Sequence, residues 1–131
     1  MRYFTLSELT RSNAAARLKI DNTPTSEAVS NLNLLVTHIL DPLRQAYGKP
    51  IIVNSGYRAP LVNRAIGGVR NSQHCTGQAA DITTGTRDGN RQLFQLIQSL
   101  NLPFDQLINE SRFLWVHVSY SPRHRRSVLH L

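Results

Sequence analysis

A chain of 131 residues, 40% of them hydrophobic, suits one domain with a single modest core and leaves no room for a second. Its one cysteine, Cys75, excludes an intrachain disulfide and a cysteine-only metal site. Fifteen Lys and Arg against eight Asp and Glu give a formal charge of +7, which attracts polyanions but does not choose between nucleic acid and anionic wall polymer.

No repeat, low-complexity tract or linker interrupts the chain, so residues 1–131 read as one domain, expected to act as a monomer. From Thr25 to Tyr47 the residues Val29, Leu32, Leu35, Val36, Ile39, Leu40, Leu43 and Tyr47 recur at helical spacing. Thr23 and Pro24 signal its start and Gly48 its stop, which predicts the main core helix. Pro42 lies inside it, and a kink or a division into two helices is expected there. Ile51 to Asn54 follows as a short buried strand, broken by Ser55-Gly56 before a turn carrying Tyr57 and Arg58. Pro60 to Ile66 reads as a short helix ended by Gly67-Gly68, and Val69 to Gly77, without periodicity, as an exposed loop.

Ala79 to Thr83 fits a strand, with Ala79 and Asp81 on one face and Ala80 and Ile82 on the other. A second helix is predicted from Asp88 to Leu100 on the stripe Leu93, Phe94, Ile97 and Leu100, ended by Leu102-Pro103. Two strands follow, Gln106 to Asn109 and Trp115 to Tyr120, the latter with Trp115, His117 and Ser119 on one face. The cluster Arg123, His124, Arg125 and Arg126 reads as part of a frayed basic tail, since no aromatic interleaving or recognition helix marks a specific nucleic-acid site. Helices and short strands around one sheet give an α+β class. No apolar run is long enough to cross a membrane.

The stretch from Ser72 to Asp81 puts an imidazole, His74, in a loop and a carboxylate, Asp81, on the strand that follows. Both are ordinary zinc ligands. Gly77, Ala79 and Ala80 leave the space for loop and strand to converge. His117 is the third candidate, because it lies between Val116 and Val118, where an unpartnered buried imidazole is costly. Two histidines and a carboxylate leave one position for water, which is the ligand count of catalytic zinc rather than structural zinc. Taken singly, the three have plainer roles: His117 a hydrogen-bonded core residue, Asp81 a strand-end cap, His74 a loop surface residue. Cys75 is left out of the set, since its side chain diverges from that of His74 in an extended loop.

Ser72-x-His74-x-x-Gly77-x-Ala79-x-Asp81 with Trp115-x-His117 downstream resembles the signature of the zinc D-alanyl-D-alanine carboxypeptidase family, which includes phage-type murein peptidases and shares the hedgehog-like fold. Similarity to the small phage and prophage branch runs from Phe4-Thr5-Leu6-Ser7-Glu8-Leu9 through Ser55-Gly56-Tyr57-Arg58 to Trp115-Val116-His117-Val118-Ser119-Tyr120. The resemblance implies a central, mostly antiparallel sheet packed by helices, and zinc held by His74, Asp81 and His117. It also implies hydrolysis of peptide bonds in peptidoglycan stem peptides, as a carboxypeptidase or an endopeptidase of the endolysin kind.

In well-studied members of the family it resembles, a glutamate lies three residues before the last histidine, a position held here by Leu114; Glu110 is the nearest acid, and the small phage-type branch resembles this chain in carrying an acid there. Glu110 is therefore the expected general base, with an exposed turn residue paired to Arg112 as the alternative. The resemblance gives Arg58 a role in contacting substrate and the charge that builds on the carbonyl oxygen, which the planar guanidinium suits. Ser72, Gln73 and Trp115 are expected to orient ligands and substrate, and Tyr57 to be wall or core. Expected partners are a peptidoglycan peptide and anionic cell-wall polymer, with no specific nucleic acid. Arg2, Glu8 and Arg11 interrupt the opening where a secretory leader needs an apolar run. Synthesis in the cytoplasm is thus expected, followed by action at the wall after release or within a phage particle. The alternative function is a wall-binding domain that keeps zinc without hydrolysis.

Overall fold

The long apolar pattern begins at Thr25, whose hydroxyl accepts from Ala28 N at 3.1 Å and caps the helix. In the computed structural model, which describes residues 1–131, the chain then runs helically to Tyr47. The run is α3 (Ser26–Leu35), a π-helical turn (Val36–Leu40) and α4 (Asp41–Tyr47). Pro42 lies in the first turn of α4, just past the π-helical turn that separates it from α3. The Asp41 N–H reaches back five residues to Val36 O, and this widened turn absorbs a ring that would otherwise press on the carbonyl four residues back. Leu32, Leu35, Val36, Ile39, Leu40 and Leu43 are all fully buried along one face, each contributing roughly 1.5–3 kcal/mol of transfer free energy.

Ahead of this unit come α1 (Leu6–Thr10) and α2 (Asn13–Leu18), in a region where no element is expected from the sequence. Thr5 and Glu8 form a reciprocal capping box, and the last turn of α1 buries Leu9 beneath β1 (Ile52–Ser55).

After β1 the chain forms α5 (Pro60–Ala65) and returns as β2 (Ala79–Thr83), which pairs with β1; with β3 (Gln106–Glu110), β4 (Trp115–Ser119) and β5 (Ser127–His130) they form one sheet in the order β1-β2-β4-β3-β5. Every pairing is antiparallel except β3 with β5. Ala80, Ile82, Leu107, Val116 and Val118 join the core under α6 (Arg87–Ser99) and the long helical unit. Strand alternation therefore turns Asp81, Ile108, Trp115 and His117 to the opposite face. In register, His117 stands opposite Asp81 on one side and Ile108 on the other. Leu100, expected in the α6 stripe, caps the helix end and is exposed. No helix is long and apolar enough to cross a membrane.

The segment Val69 to Gly77 is not simply an exposed loop: it ends in a 3-10 turn (Gln73–Thr76) that buries His74. Ser72 caps this turn, and Asn31 of α3 donates to Thr76 O at 2.9 Å. Gly77 is needed where the turn meets α3, since its φ is +75° and a side chain would strike the Ala28 carbonyl. Likewise, Arg123 to Arg126 are not a frayed tail. They lead into β5, and Arg126 N and Ser127 N donate to Phe104 O and Asp105 O at 3.3 and 3.0 Å. The reason is a carboxylate, Asp105, that sequence pattern does not mark as buried.

Candidate metal centre

Three elements deliver three donors to one point on the open face of the sheet: the 3-10 turn brings His74, β2 brings Asp81 and β4 brings His117. The ligand atoms of these residues lie within 4.8 Å of one another. His74 Nε2 is 3.3 Å and His117 Nδ1 is 3.0 Å from the same oxygen, Asp81 Oδ1. The imidazole rings meet edge to face, with centroids 5.2 Å apart.

The orientation of His74 is set from behind. Its Nδ1 lies 2.7 Å from Gly56 O, a carbonyl that can only accept, so Nδ1 carries the proton and Nε2 presents its lone pair to the centre. Gly56 can hold that position because Leu9 of α1 occupies the space where a side chain would sit. Tyr57 N donates to Leu9 O at 2.7 Å and fixes the same crossing. Burial by itself would raise the Asp81 carboxyl, but in the metal-free centre the His117 and His74 imidazoles beside it outweigh burial and hold the group well below the usual carboxylate range. A buried carboxylate with two imidazole nitrogens aimed at it calls for a cation, and an N2O donor set suits a divalent ion with ligand room to spare. The residues present fit such an ion.

Around the centre opens a cleft lined by Arg58, Gln73, Glu110 and Trp115 among others. Glu110 pairs with Trp115 in the β3–β4 register, two residues along from Ile108, the partner of His117. It is thus the diagonal neighbour of His117 on the cleft face, at a spacing of roughly 7–8 Å for such pairs. Arg112 does not pair with it; instead the Arg112 carbonyl accepts from Arg87 Nε at 3.1 Å.

Arg58 enters the cleft from the turn after β1. Its N–H donates to His74 O at 3.0 Å and its Nη1 to Asn63 Oδ1 at 3.1 Å, while its buried Nε has no partner. Ser72 accepts from His74 N at 3.2 Å, and Gln73 donates from Nε2 to Asp105 Oδ2 at 2.9 Å. Tyr57 lies in the core, 3% exposed, and does not line the cleft. Cys75 stands outside the donor set, and burial pushes its thiol up.

Sequence reasoning missed three residues that hold this site: Gly56 as the acceptor for His74, Asn63 as the clamp on Arg58, and Asp105 behind Gln73. Asn63 and Asp105 are 3% and 0% exposed. Polar residues are mostly exposed in proteins, so nothing in their spacing marks them. Gly56 did have a signal, the Ser55-Gly56 break directly before Arg58.

Comparison with known proteins adds two findings. Residues 2–119 match the family model described as Peptidase M15. A zinc D-Ala-D-Ala carboxypeptidase from Streptomyces albus G is 40% identical over 86 residues, which are 64% of this chain and 32% of that protein. The chain thus spans about a third of the length of this curated relative.

Proposed function

The chain belongs to the peptidase M15 family, and from that premise we propose that it is a zinc-dependent peptidase acting on bacterial peptidoglycan stem peptides. Its finer assignment in this reading is a D-Ala-D-Ala carboxypeptidase or murein endopeptidase of phage or prophage origin, working at the cell wall. The convergence of His74 Nε2 and His117 Nδ1 on Asp81 Oδ1 carries the reading, since two nitrogens and an oxygen with a cleft in front are what metal-assisted hydrolysis requires. Zinc bound there supplies Lewis acidity, polarising the scissile carbonyl and bringing the pKa of water to roughly 7.

The remaining work falls to this chain's own side chains. Glu110, on the cleft face beside His117, takes the proton of the attacking water and returns it to the leaving amine. Arg58 offers donors to the carbonyl oxygen as charge develops on it, or to a carboxylate of the substrate. Asn63 keeps that guanidinium from swinging to solvent by accepting from Nη1. Gly56 O fixes the His74 ring and Ser72 Oγ holds the His74 backbone N–H, so the donor set is ordered before substrate arrives. Trp115, half-buried opposite Glu110, supplies an apolar wall for the peptide. The cationic surface promotes adhesion to anionic wall polymer.

Zymography on purified peptidoglycan tests the reading. The zinc-loaded chain is expected to clear the gel and E110Q to fail. A chain that retains zinc and binds the wall but never clears it is a binding domain, and the peptidase reading then falls.

A further inference from the structure

The family-matched residues end at 119, yet the cleft continues past them: Arg123, Arg125 and Leu131 line the same depression as the metal-site triad. What holds this segment in place is Asp105, fully buried at the start of β3. Arg125 donates to Asp105 through its backbone N (3.0 Å), Nε (2.8 Å) and Nη2 (3.0 Å), and Gln73 adds a fourth donor at 2.9 Å. The carboxylate is saturated, and the charge of Arg125 is spent on it.

Arg123 is in a different position. Its Nη2 stops 3.8 Å from Asp105 Oδ2, beyond hydrogen-bond range, and 63% of its side chain is exposed. The other acids of the cleft do not claim it either: Asp81 is engaged by the two imidazoles, and Glu110 forms no ion pair with an arginine. An arginine with free donors is thus held at the cleft by a neighbour that is itself locked down, and its reach differs from that of Arg58, which comes from the turn after β1.

Resting on the peptidase reading, we propose that Arg123 is a specificity residue that pairs with a second carboxylate of the peptide, distinct from any group that Arg58 serves. A planar guanidinium with its fork unoccupied is suited to bidentate carboxylate recognition. Asp105 and Arg125 act as positioning residues that hold the segment against the cleft.

The test compares two pentapeptides, L-Ala-γ-D-Glu-L-Lys-D-Ala-D-Ala and its counterpart with the glutamyl α-carboxylate converted to the carboxamide. Titration calorimetry is run with zinc present in an E110Q background, which leaves the peptides uncut. The free acid is expected to bind about tenfold more tightly than the carboxamide, the usual gain from an ionic hydrogen bond over a neutral one. R123Q should bind both alike, at the affinity of the carboxamide, and R123K should keep part of the preference. Far-UV circular dichroism of R123Q should match the parent, since the side chain is exposed. Equal affinities in the parent, a preference that persists in R123Q, or no binding of either peptide overturns the proposal. Hydrolysis by the chain with Glu110 intact is followed separately. Cutting without acid preference sinks the carboxylate pairing and leaves the peptidase reading, whereas acid preference without cutting does the reverse.

Discussion

His74 Nδ1 lies 2.7 Å from the carbonyl of Gly56, and this single contact decides which nitrogen of the ring faces Asp81. It ties the proposed metal centre to the place where α1 crosses the end of β1, because Leu9 packs against Gly56 and its carbonyl accepts from Tyr57 N.

Replacing Gly56 therefore acts at a distance. Gly56→Ala puts a methyl group where the Leu9 carbonyl lies, so the crossing must open and the acceptor for His74 shifts. Zinc affinity, read by competition with a chromogenic chelator, is expected to fall about 10–100-fold, as for other lost partners of ligand histidines. An unchanged affinity would show that His74 is oriented by something else.

Direct removal of a ligand has a cleaner signature. His74→Ala, Asp81→Ala and His117→Ala should each lack stoichiometric zinc by elemental analysis after gel filtration, whereas Cys75→Ala should retain it. Metal binding also couples to stability: at free zinc about 100 times its Kd, the folded chain gains roughly 2.7 kcal/mol. A chelator should lower the Tm of the parent and leave that of the three variants unmoved.

Glu110 separates chemistry from metal binding. It lies on the cleft face beside His117 but outside the three-donor set. Glu110→Gln is expected to cut kcat by about 10²–10⁴-fold, the range for a lost general base, with zinc content unchanged. A variant with nearly full kcat would remove Glu110 from the reaction.

Asp105 predicts the response to acid. The Arg125 guanidinium beside it, outweighing the effect of burial, holds its carboxyl well below the usual carboxylate range. A lowered folded pKa means that the contribution is complete above the unfolded value, near 4, and is lost as pH falls toward the folded one. Urea midpoints of the parent should accordingly begin to drop below about pH 5 and go on falling toward about pH 3, and Asp105→Asn should flatten part of that slope. At neutral pH, Asp105→Ala leaves the donors of Gln73 and Arg125 without their acceptor and should cost about 1–3 kcal/mol.

Periodicity by itself determined the long helix, α6 and the alternation that sets the face of Asp81 and of His117 within each strand, while the resemblance to the zinc carboxypeptidase signature joined His74, Asp81 and His117 as one ligand set. The periodic features are local: a side chain's direction follows from its place along its own helix or strand. The tertiary structure alone decided the rest. His74 is buried because the turn after Ser72 packs on α3, Tyr57 is core because α1 crosses β1, and Arg123 reaches the cleft because β5 pairs with β3 around Asp105. Each depends on a partner tens of residues away, and a buried polar group looks in sequence like any surface one until its partner is known.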